Sequence, residues 1–66
     1  MKNITTDVFY GRVQYYKEEA QKGNYHNPYD VYDELQQIVR KIGLSEDDKE
    51  YFETIAWETG DLFWSM

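Results

Sequence analysis

The sequence predicts an all-α chain, a small antiparallel three-helix bundle, on three observations. Gly23 and Gly43 each close a helical pattern that ends in basic residues. Capping signatures follow both glycines, at Asn27-Pro28 and at Ser45-Glu46-Asp47-Asp48. Within the three stretches so marked, apolar residues recur at helical spacing, and strand-like alternation is not sustained. The chain reads as one helical domain over 1–66, with helices about 6–22, 28–42 and 45–65.

The first helix carries Phe9, Val13, Tyr16 and Ala20 on one stripe and stops at Lys22-Gly23. Its early β-branched and aromatic residues also admit an extended segment over 3–10. The second starts at an Asn27 cap, with Pro28 in the first helical position, where a missing N–H costs nothing. It carries Val31, Leu35, Ile38, Val39 and Ile42, then Arg40 and Lys41 near the negative end of the helix dipole before Gly43. The third starts at Ser45 in a capping box with Asp48 in the usual glutamate position. Its stripe is Phe52, Ile55, Ala56, Leu62, Phe63 and Met66, completed by Thr59. Gly60 has two readings here: it permits close approach of another backbone, or it ends the helix early.

Composition narrows the function. A 66-residue chain without cysteine has no disulfide or thiolate metal site, and a lone core of this size rarely supplies more than about 3–5 kcal/mol, so self-association is its natural reinforcement. Aromatic content of 18% argues for a folded domain despite 30% charged residues. No run approaches the roughly 18 apolar residues of a membrane span, and the N-terminal residues lack a signal-peptide core, so the expected location is cytoplasmic. His26 is the only histidine and has no serine partner; Ser45 is used as a cap, and no calcium-binding loop appears. The expectation is a protein that is not an enzyme and takes no metal or cofactor.

Charge supplies the functional lead. Residues 45–66 hold seven carboxylates against Lys49 alone, while residues 1–44 balance six acids with six bases, so the formal net charge of −6 lies in the last third. Such asymmetry points to a cationic partner and away from direct nucleic-acid binding. On a helical wheel Glu46, Glu50, Glu53, Trp57, Asp61 and Trp64 form a second continuous row, away from the Phe52 stripe. Carboxylates one turn apart stand about 5–6 Å from each other, near the spacing of phosphates along a nucleic-acid strand. The first carboxylates also meet the positive end of the helix and need no further role. Two tryptophans on one flank need cover, from Tyr29, Tyr32 or Tyr10 of the same chain, from a second copy or from a partner. Tyr10, Tyr15, Tyr25, Tyr29 and Tyr32 fall outside the strictest core stripes, and some of them are expected to be surface anchors.

These readings select a small inhibitor or modulator whose third helix occupies the basic nucleic-acid-binding site of a partner protein. In charge and size alone the chain is similar to DNA-mimic inhibitors of phages and mobile elements. A neutraliser of a basic toxin or effector, and a homodimerisation or adaptor module, are the alternatives.

Overall fold

The computed structural model describes residues 6–66, which form α1 (Thr6–Gln21), α2 (Pro28–Ile42) and α3 (Glu46–Asp61). These three helices make an all-α bundle. The segment 3–10 is helical from Thr6 onward, and its first residues lie outside the described part of the chain.

Local chemistry sets the helix limits. After α1, Gly23 takes a φ of 81°, which side chains with a Cβ avoid, and the chain folds back in a Schellman turn. There the Gly23 N–H donates to the Ala20 carbonyl at 3.1 Å and the Asn24 N–H to the Glu19 carbonyl at 2.9 Å. Asn27 Oδ1 accepts from the Tyr29 N–H at 2.9 Å and opens α2, which Gly43 closes at φ 75°. At α3, Ser45 Oγ accepts from the Asp48 N–H at 3.4 Å. Aspartate is one methylene shorter than the glutamate of a full capping box, and only the serine half forms.

One core takes three residues from α1 (Phe9, Val13 and Tyr16), three from α2 (Val31, Leu35 and Val39), two from α3 (Phe52 and Ala56) and Phe63 just beyond it. Phe9 meets Phe52 edge to face at 5.0 Å, and Tyr16 meets Phe63 at 6.2 Å, so α1 and α3 run in the same direction. Packing between them is sparse, and α2–α3 is the principal seam. Along it Gln36 meets Glu53 and Tyr32 meets Trp57, an antiparallel register. Buried Thr59 satisfies its hydroxyl on the Ile55 carbonyl at 2.8 Å.

The end of the third helix differs from expectation. The α-helix runs through Gly60 and stops at Asp61 instead of continuing to residue 65. The Phe63 N–H then donates to the Gly60 carbonyl at 3.0 Å and the Trp64 N–H to the Asp61 carbonyl at 3.2 Å, the three-residue spacing of tightened turns. Glycine in the last turn weakens the helix, and the tighter winding rotates the residues beyond it. Phe63 stays on the core, whereas Leu62 and Met66, expected in the apolar stripe, are 41% and 49% exposed. Among the described residues no helix is long and apolar enough to cross a membrane.

Candidate docking surface on the second and third helices

The acidic, aromatic row is built on the flank of α3 that adjoins α2. Glu46, Glu50 and Asp61 are exposed along α3, and Trp64 follows in the turns after it. Glu53 is half-buried and is not free: its Oε2 accepts from Gln36 Nε2 at 2.6 Å. The other amide atom of Gln36, Oε1, is buried without a partner, so the amide is oriented by what Glu53 requires.

The tryptophans are shared between the fold and the surface. Trp57 stacks on Tyr32 with ring centroids 4.0 Å apart and planes 23° from parallel, yet remains 47% exposed. Trp64 meets Tyr29 edge to face at 5.3 Å and remains 54% exposed. Tyr10, the third candidate cover, packs instead on Phe52 at 5.5 Å. The backbone that approaches Gly60 belongs to the same chain, since a Cβ there would lie 3.0 Å from the Pro28 carbonyl oxygen. Gly60 thereby lets the start of α2 seat against the end of α3, which brings Tyr29 beside Trp64.

Two of the three tyrosines expected as cover, Tyr29 and Tyr32, thus do pack on the tryptophans, and with Asp33, which the sequence did not single out, they give the site a second half on α2. Tyr29 and Asp33 are exposed, one helical turn apart. Charge grades along this face because the two helices are antiparallel. Arg40 and Lys41, in the last turn of α2, stand level with the first turn of α3 and its Glu46-Asp47-Asp48 run. Toward Gly60 the compensation ends: residues 28–39 and 50–66 contain no lysine or arginine. Trp57, Asp61, Trp64, Tyr29 and Asp33 therefore form an aromatic surface carried by stretches of α2 and α3 whose only charges are negative.

No family model, curated protein or solved structure matches the chain.

The remaining polar clusters tie the bundle together on the α1 side. Arg12 forks onto Glu34, with Nε on one carboxylate oxygen and Nη2 on the other at 3.2 Å, and the Tyr16 hydroxyl donates to the same carboxylate. Burial acts to raise the Glu34 carboxyl, but these hydrogen bonds and the Arg12 charge outweigh it and hold the pKa below the ordinary carboxylate value. Tyr16 shifts upward, through burial and then its bond to Glu34. In the α1–α2 connection His26 Nε2 lies 3.0 Å from Glu19 Oε1, and its ring meets Phe63 edge to face at 5.4 Å. Bonds from His26 and then Asn24 lower the Glu19 carboxyl. Among the described residues no three His, Cys, Asp or Glu side chains converge as a metal site. A groove of about 280 Å³ lined by Tyr10, Lys17, Ile55, Glu58 and Leu62 opens on the opposite flank of α3, between α3 and α1.

Proposed function

We propose that this chain is a small acidic inhibitor or modulator that docks its α2–α3 face on the basic nucleic-acid-binding site of a partner protein. The observation that carries the reading is the Gly60 end of that face, where half-exposed Trp57 and Trp64 are bordered by Asp61 and Asp33 and neither helix supplies a cation. Exposed tryptophan and tyrosine anchor interfaces, and carboxylates around them speed encounter with a basic surface and exclude acidic ones. Glu46 and Glu50 extend the charge along α3 in the manner of DNA-mimic inhibitors, while Glu53 serves the α2–α3 seam.

Closure of the same face by a second copy is the weaker alternative. Pairing two copies through the Gly60 end would bring only carboxylates together around the aromatic rings, and like charges in contact oppose association. A basic toxin or effector as the target would present the same complementary surface, and nucleic-acid competition separates it from the leading reading.

The test is retention of a basic nucleic-acid-binding protein by the immobilised chain. Release by rising salt and by duplex DNA, with retention lost in a Glu50→Lys, Asp61→Lys variant, is the expected result. Retention that resists salt and DNA, or that the variant keeps in full, would overturn the proposal.

A further inference from the structure

One arginine in this molecule already sits in a setting of rings and a carboxylate. The Arg12 guanidinium lies 4.6 Å from the Tyr15 ring centroid and 5.2 Å from that of Tyr16, and it forks onto Glu34. Stacking positions the plane while the carboxylate takes two of its N–H groups.

The α2–α3 face repeats these parts without the cation. Tyr32 covers one side of the Trp57 ring, no second ring of the described residues packs on it, and Trp57 remains half-exposed. Asp61 stands one helical turn beyond Trp57, within reach of whatever lies on that ring. Tyr29 and Asp33 repeat the pairing of ring and carboxylate on α2. No ion pair or side-chain hydrogen bond engages the carboxylate of Asp33 or of Asp61 among the described residues.

We propose that this face selects arginine over lysine, taking a partner's guanidinium on the side of Trp57 away from Tyr32, where it extends the Tyr32–Trp57 stack and forks onto Asp61. The inference rests on the reading that the face binds a basic protein, and it names the side chain that is read. Guanidinium is planar and weakly hydrated and matches a carboxylate at two points. The ammonium of lysine is a compact, strongly hydrated charge that gains little from an open ring face.

The test is a titration of the full chain with oligo-arginine and oligo-lysine peptides of equal length at physiological ionic strength, read by tryptophan fluorescence. Arginine peptide should bind at least about tenfold more tightly, the ratio that corresponds to one well-formed stacked and forked contact. Trp57→Ala and Asp61→Asn should each abolish that preference. Asp61→Asn, which keeps side-chain volume and leaves the Tyr32–Trp57 stack in place, separates lost recognition from lost folding. Equal affinity for the two peptides overturns the inference and leaves the docking proposal standing. Binding of neither peptide overturns both, and an arginine preference that survives both substitutions overturns the assignment to Trp57 and Asp61.

Discussion

Gly60 and Gly11 occupy α-helices in opposite surroundings, and the contrast separates propensity from packing. A Cβ at Gly11 would meet nothing within 4 Å, so Gly11→Ala should stabilise the fold by the propensity difference, about 0.5–1 kcal/mol. At Gly60 the same gain is opposed by the Pro28 carbonyl oxygen at 3.0 Å, a backbone atom in the first turn of α2 that does not move by itself. Gly60→Ala should therefore give a net loss of about 1 kcal/mol as the α2–α3 seam shifts. Thermal melts of the two variants should move in opposite directions; a gain at Gly60 would mean that the seam yields freely. Glu34 gives a pH-dependent test. Its folded pKa is depressed, so the stability it adds is present above the unfolded carboxylate pKa and is lost as pH falls through the folded value. Solvent screens this half-exposed pair and limits the contribution to about 1 kcal/mol. Glu34→Gln should be less stable by about that amount at neutral pH, and denaturant titrations should show the gap closing below the ordinary carboxylate range. A gap that persisted in acid would assign the contribution to shape rather than charge.

At the scale of the element, what was legible in the sequence is what neighbouring residues decide. The Schellman turn at Gly23, the Asn27 cap and the Ser45 cap each depend on groups within a few positions, and their signatures gave the helix limits almost unchanged. The spacing of Phe9, Val13 and Tyr16 or of Val31, Leu35 and Val39 likewise specifies which face turns inward. Two features stood in the sequence only as alternatives, for the same reason. The tightening after Asp61 depends on Gly60 seated against Pro28, and the α2 half of the docking face depends on how far the two helices rotate about their axes. Neither is encoded in the periodicity of a single helix. The tightened turn also makes Phe63 a core residue outside any helix, fully buried against the rings of Tyr16 and His26. Phe63→Ala should cost about 3–5 kcal/mol, comparable with the whole stability of a lone core this small, so the variant should lose most of its helical circular dichroism at 25 °C. Leu62→Ala, one residue away and 41% exposed, should cost much less, about 1 kcal/mol. Equal losses at the two positions would show that the C-terminal turns pack differently from the described arrangement.

Over the whole molecule, charge and stability are arranged in opposition. The acids at the start of α3 suit the positive end of its dipole, and the cations closing α2 lie level with them along the bundle. Asp61 is the reverse case: it lies at the negative end of α3, in a last turn with no basic residue, and on the aromatic surface where no cation of either helix answers it. A residue that is unfavourable for its own helix and adjacent to half-exposed tryptophans fits a role in binding better than one in folding. Asp61→Lys separates the two roles because its effects carry opposite signs. Replacing an anion by a cation at this end should raise stability by roughly 0.5 kcal/mol, since the substitution now favours the dipole and relieves repulsion from the other α3 carboxylates. The same substitution should slow association with a basic target, with the deficit shrinking as salt screens the missing attraction. Denaturant unfolding and association kinetics on one preparation measure both quantities. A higher unfolding midpoint with a slower on-rate assigns Asp61 to the docking surface; a lower midpoint would make it part of the fold and leave Trp57 and Trp64 to anchor the partner without it.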